Sequence, residues 1–261
     1  MLTRREIGLG AMGVGVGVGV GGVALGQPAS IVEQLSGDPD LPKIVSTFPA
    51  RTPILDNSTA PLGLTYIKPI LKDKAALAAE FVITAKSYAA RGVDAAHDGP
   101  EIENWLKLFG INPRAPSGDL LAFCAAGLSW SICEAYANLN PKIRMGKSER
   151  PDYYEGILRV INTLYFYPNC SVYKMKQKAQ ERNIWVSDKS VTLKQGWPIV
   201  YDWDGDGKPD HIGIVSQRVP SGVETVEFNT RIEDGGNQSN GGHVAVRHRA
   251  LDQVMGFIAW Y

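Results

Sequence analysis

The sequence predicts an α+β domain, with N-terminal helices packed on a C-terminal antiparallel β-sheet. Two observations point there. From Lys72 to Arg182 apolar residues recur largely at three- and four-residue steps, and beyond Arg182 they fall into short runs separated by glycine-rich turns. Helices first and strands second is the α+β order. Composition agrees with a packed core, since 44% of the 261 residues are hydrophobic and 21% are charged.

The elements follow in order. Leu77, Phe81, Ile83 or Thr84, and Tyr88 mark a first helix that ends at Arg91-Gly92. Asp98-Gly99-Pro100-Glu101 opens a second, with Asp98 as cap, proline in the first turn and Glu101 at the positive end. Its buried stripe is Ile102, Trp105, Leu106 and Phe109, and Gly110 and Pro113 stop it. A third helix carries Cys124 and runs to about Asn138 on Ala125, Leu128, Ile132 and Tyr136. Residues 140 to 170 look irregular and are crowded by Tyr153, Tyr154, Tyr165, Phe166 and Tyr167; such aromatics stack on sugars over a cleft or, more commonly, fill a core. Ser171 caps a helix from Val172 to Arg182. Strands follow at Ile199–Tyr201, Ile212–Val215, Val223–Phe228, Val244–Arg247 and Val254–Ile258.

Ahead of this domain, residues 30–71 are rich in Pro, Asp, Ser and Thr, which suits an extended linker or arm. Residues 1–29 differ again. Arg4-Arg5 precedes a Gly/Val-rich apolar run from Gly8 to Gly26, as in a twin-arginine-type secretion signal. The domain at 72–261 is thus expected outside the bacterial inner membrane, periplasmic or secreted. It touches the membrane only if the segment stays uncleaved. Lys+Arg and Asp+Glu are both 27, so the formal charge is zero and nothing suggests nucleic acid as a partner. Three cysteines leave an unpaired thiol in an oxidising compartment. Cys124 and Cys133 fall on opposite helix faces; Cys133 either pairs with Cys170 or serves as a small core hydrophobe.

Cys124 opens the apolar run Phe123-Cys124-Ala125-Ala126-Gly127-Leu128-Ser129-Trp130. A thiol attacks as thiolate, which a helix N-terminus and a neighbouring imidazolium both favour. Asp119 or Ser117 is placed to cap that helix. His211 stands at the mouth of the strand Ile212-Gly213-Ile214-Val215, where Gly213 leaves room for a helix or the cysteine side chain. Glu227 and Asn229, two apart, share a strand face, and one of them should accept from the imidazole N–H and fix its tautomer. Cysteine, histidine, then Glu/Asn is the chain order of a papain-like cysteine hydrolase. Between the strands, Asp202, Asp204, Asp206 and Asp210 form either a calcium loop or a hairpin braced by side-chain-to-backbone bonds. Gly213 holds the position where a full calcium loop has glutamate.

Taken together, Phe123–Trp130, Gly196–Val215, Val226–Thr230, the Asn237–Gly242 turn and the closing Val254–Ile258 strand resemble the CHAP family, the cysteine- and histidine-dependent amidohydrolase/peptidase domains of peptidoglycan hydrolases. The resemblance covers roughly residues 72–261. It implies Cys124 as nucleophile, His211 as general base and acid, Glu227 and Asn229 at the orienting positions, and the peptide stem of peptidoglycan as substrate. No cofactor is required, calcium is a candidate, and a monomer is expected. Phe123 stands where the family has tryptophan, Trp197-Pro198 replaces a usual Gly-Asp, and the 140–170 stretch is longer than in compact members. The last two departures bear on specificity. The family cuts either as amidase or as endopeptidase; a catalytically silent wall-binding protein that retained the fold is the competing reading.

Overall fold

A computed structural model describes residues 73–140, 151–233, 238 and 240–261. The expected signal at 1–29, the arm at 30–71 and part of the Asn237–Gly242 turn lie outside these residues. The described residues form five helices and one six-stranded antiparallel sheet. The helices are α1 (Lys74–Ala90), α2 (Gly99–Lys107), α3 (Cys124–Asn138), α4 (Pro151–Leu164) and α5 (Val172–Glu181). The strands are β1 (Trp185–Val186), β2 (Pro198–Tyr201), β3 (His211–Val219), β4 (Gly222–Thr230), β5 (His243–Arg249) and β6 (Val254–Ile258), in the spatial order β1-β6-β2-β3-β4-β5.

Helix α1 starts where the Asp73 carboxylate accepts from the Ala76 N–H at 3.0 Å, and it stops at Gly92, whose φ of 67° suits glycine. Leu77, Phe81, Thr84 and Tyr88 face inward; Ile83, the alternative to Thr84 in the stripe, is exposed. Asp98 does not cap α2 through its side chain. Its Oδ2 accepts instead from the Asp94 N–H at 3.0 Å, bracing the preceding turn. The stretch before residue 170 holds a helix the sequence pattern did not announce. Pro151 starts α4, and Ile157 and Ile161 give it a buried edge. Tyr154, Tyr165 and Phe166 are buried, which makes them core residues; Tyr154 stacks on Trp130 with centroids 4.1 Å apart.

Helices α1 and α3 pack on each other. Helix α3 also lies on β3 and β4, and α1 on β3, β4 and β5. Helix α3 comes close to the sheet at Gly127, where an added Cβ would sit 2.3 Å from Cδ1 of Phe228. Only a residue without a side chain fits there, and Phe228 fills the space between Tyr88 and Trp105. This contact sets Cys124, one turn before Gly127, over the strand that carries Glu227.

Candidate active site

Cys124 is the first residue of α3. Phe123 occupies the cap position without a side-chain bond, and its ring packs edge-on to Trp105 at 5.9 Å. Ser117 and Asp119, the expected caps, do not reach the helix; Ser117 Oγ donates to Asp119 at 2.8 Å. The helix start is therefore anchored by aromatic packing. Its first N–H groups have no partner within the helix, and they give this end positive character. Cys124 is buried, with 6% of its surface exposed, so the approach to its thiol is narrow.

His211 is the first residue of β3, paired with Tyr201 of β2, and it is fully buried. Its Nε2 lies 3.3 Å from Oε2 of Glu227. The Cys124 thiol is its other polar neighbour. Neither ring nitrogen completes a well-aligned hydrogen bond. Burial works against a charged ring here, but the thiol and the carboxylate outweigh it and push the His211 pKa up to about 9.

Gly213 is the direct cross-strand partner of Glu227. A Cβ at Gly213 would lie 2.9 Å from Cγ of Glu227, so the missing side chain makes room for the carboxylate, and not for the cysteine as the sequence suggested. Glu227 is fully buried and densely bonded. Thr225 Oγ1 donates to Oε1 at 2.8 Å and Thr230 Oγ1 to Oε2 at 3.0 Å. Arg249 donates from Nε to Oε1 at 2.9 Å and from Nη2 to Oε2 at 2.6 Å. Burial alone would raise this carboxyl, but the Arg249 and His211 contacts hold it well below the usual carboxylate range.

Asn229 takes a different place from the one expected. The ladder between β4 and β5 shifts register between Glu227 and Thr230, and Asn229 adopts a left-handed φ of 59°. Strand alternation fails here, so Asn229 does not share the face of Glu227. Its Nδ2 donates to Asn240 Oδ1 at 3.0 Å, and its Oδ1 accepts from the Gly242 N–H at 3.3 Å. Asn229 braces the 240–242 turn, while Glu227 stands beside His211. The bulge also brings Thr230 round to the carboxylate.

Comparison with family models, with curated proteins and with solved structures returned no match. The chemistry of the site rests on its own geometry: a thiol at an uncapped helix start, a buried imidazole beside it, and an anchored carboxylate behind the imidazole. Arg249 is the participant the sequence reading missed. Arg247, His248 and Arg249 stand side by side in sequence, and only the tertiary arrangement selects the one that reaches Glu227.

Cys133 and Cys170 are not bridged to each other. Cys133 is fully buried and acts as a core hydrophobe, its thiol pushed up by burial and by Glu134. His97 pairs with Asp94 at 2.8 Å and His248 lies 3.6 Å from Glu224, so neither competes for the catalytic role.

In the acidic loop, carboxylate oxygens of Asp202, Asp204 and Asp210 lie within 4.8 Å of one another. Asp206 is not one of this group; its carboxylate pairs with Lys208 at 2.7 Å. Backbone N–H groups already use several of these oxygens. Gly205 and Gly207 donate to Asp202 at 2.8 and 3.0 Å, and Trp203 donates to Asp210 at 2.5 Å. The loop is thus a braced hairpin. Its three convergent carboxylates are a hard-oxygen set that fits calcium, with Asp206 removed from the expected four. Burial, with Asp204 and Asp202 nearby, raises the Asp210 carboxyl.

Proposed function

We propose that this chain is an exported cysteine hydrolase of papain-like fold that cleaves amide bonds in peptidoglycan. The observation that carries the reading is the buried His211–Glu227 pair, 3.3 Å apart, beside a cysteine that begins a helix. The resemblance of residues 123–130, 196–215 and 226–230 to CHAP domains supplies the substrate class and the export context.

The chemistry runs in two halves. His211 takes the Cys124 proton, and the thiolate attacks the amide carbonyl carbon. The Cys124 backbone N–H, free at the helix start, steadies the oxyanion. As the C–N bond breaks, His211 passes its proton to the departing amine and leaves a thioester. His211 then takes a proton from water, the hydroxide attacks the thioester carbonyl, and the C–S bond breaks to give a carboxylic acid and the Cys124 thiol. Throughout, Glu227 balances the imidazolium and holds its tautomer. Where calcium is present, Asp202, Asp204 and Asp210 would hold it and stiffen the hairpin ahead of His211.

A wall-binding protein that retained the fold without turnover is the second reading. The near closure over Cys124 and His211 favours it, whereas an intact charged cluster around Glu227 favours hydrolysis. Digestion of purified peptidoglycan, with fragments identified by mass spectrometry, tests the two. Fragments that disappear in Cys124→Ala establish the hydrolase and name the bond cut. Failure of the unaltered protein to release anything, across several wall chemistries and with calcium added, supports the binding reading.

A further inference from the structure

Glu227 is sealed from water, and a sealed carboxylate takes up a proton unless opposite charge and hydrogen bonds keep it ionised. Two cations face it. His211 offers one contact of 3.3 Å, while Arg249 offers two parallel bonds of 2.9 and 2.6 Å, one to each oxygen. By geometry the guanidinium is the stronger partner. The hydrolytic steps above use His211 and Glu227 and give Arg249 nothing to do.

Arg249 is itself fixed. Its Nη2 also donates to Thr230 Oγ1 at 3.1 Å and to Gln238 Oε1 at 3.0 Å, and its side chain is 10% exposed. Its Cζ lies 5.2 Å from the centre of the Trp203 ring. That ring stacks on Tyr201 at 4.4 Å and stands 6.1 Å from His211. Thr230 ties the arrangement together by donating to Glu227 while accepting from Arg249. Cys124 on α3, Tyr201 on β2 and Glu227 on β4 stand beside His211, and Arg249 on β5 stands behind Glu227.

We propose that Arg249 is a positioning residue: its forked guanidinium fixes the carboxylate of Glu227 and, through Glu227, sets the orientation of His211 beside Cys124. The proposal rests on the cysteine-hydrolase reading of the same site. Arginine suits the task because its planar fork matches both carboxylate oxygens and it does not deprotonate, whereas lysine supplies a point charge. Without the fork, the Glu227 carboxylate is free to turn and no longer holds the imidazole, so His211 meets the Cys124 thiol in the productive geometry less often.

The test is the rate of Cys124 alkylation by iodoacetamide in the full chain, measured at one fixed pH and read at that cysteine by peptide mass spectrometry, with melting curves to confirm folding. No substrate is needed, because an imidazole held against the thiol speeds its attack. Relative to the unaltered protein, Arg249→Met is expected to react about tenfold or more slowly, and Arg249→Lys in between. A folded Arg249→Met that reacts at the unaltered rate overturns the proposal. If Arg249→Met does not fold, Arg249→Lys decides, since it keeps the charge and loses the fork; an unaltered rate there overturns the proposal equally. If the unaltered protein reacts no faster than its His211→Ala variant, the hydrolase reading itself falls and the proposal with it.

Discussion

Nε2 of His211 lies 3.3 Å from Oε2 of Glu227, and neither side chain touches solvent. Exchanging Glu227 for glutamine keeps the shape and removes the charge. Glu227→Gln is expected to lower kcat/KM on wall fragments by roughly 10²–10⁴-fold. It also leaves Arg249 without its counter-ion, at a cost on the order of 3–5 kcal/mol of stability. Asn229→Gly, which suits the left-handed backbone there, is expected to keep activity. Kinetics and melting curves on both variants check the pair; the reverse pattern would move the orienting role to Asn229.

Two glycines make separable predictions. At Gly127 a Cβ would meet the Phe228 ring at 2.3 Å, deep in the core, so Gly127→Ala should lose about 1–3 kcal/mol to overpacking. At Gly213 the nearest atom is Cγ of Glu227 at 2.9 Å, so a methyl there pushes on the side chain that stands beside His211. Gly213→Ala should therefore cost activity more than stability. Equal losses of stability in the two variants would contradict this division.

Stability should respond to pH in two windows. His211 has its pKa raised from 6.5 to about 9 by folding, so its contribution is complete below pH 6.5 and is lost as pH rises through 9. Glu224 is lowered from 4.5 to about 2, first through Lys86, so its contribution is complete above pH 4.5 and is lost as pH falls through 2. Glu227 acts in the same direction as Glu224. Urea midpoints measured across pH should hold level between 4.5 and 6.5 and fall on either side. A midpoint that climbs between pH 6.5 and 9 would count against a charged His211 in the folded state.

The acidic loop distinguishes its members. Asp202 accepts two backbone N–H bonds, so Asp202→Ala should lose about 1–3 kcal/mol. It should also abolish any rise in melting temperature on adding calcium. Asp206 lies outside the convergent group, so Asp206→Ala should leave the calcium response as it was. Thermal scans with EDTA and with added calcium read both, and a calcium response abolished by Asp206→Ala and kept by Asp202→Ala would refute the assignment.

Much of this was legible in the residues. Alternating apolar runs announced β2 to β6, because one side chain in two faces the core. The three- and four-step recurrence announced α1, α2 and α3. Helix α4 stayed hidden because Tyr153-Tyr154-Glu155-Gly156 mixes aromatic residues with a glycine and blurs the period. In the site, Cys124 and His211 stood out in the sequence, and Glu227 only as one of two candidates with Asn229. The displacement of Asn229 could not be read there, since it follows from a bulge that no local signal encodes. Arg249 depended on reach across the sheet, and the caps expected at Ser117, Asp119 and Asp98 gave way to turn bonds and aromatic packing.

The turn at Pro220-Ser221 joins β3 directly to β4, so His211 and Glu227 belong to one hairpin, whereas Cys124 reaches them only when α3 docks on Phe228. Hairpins close in roughly 1–10 μs, while contacts distant in sequence wait for the slower gathering of the chain. The base and its partner are therefore expected to meet before the nucleophile arrives, and a half-made chain carries a thiol not yet activated by its histidine. During refolding, Cys124 should gain its native rate of alkylation last, after the sheet has formed. Pulse labelling of the thiol beside a stopped-flow signal from the strands would show the order, and reactivity that appears ahead of the sheet would contradict it.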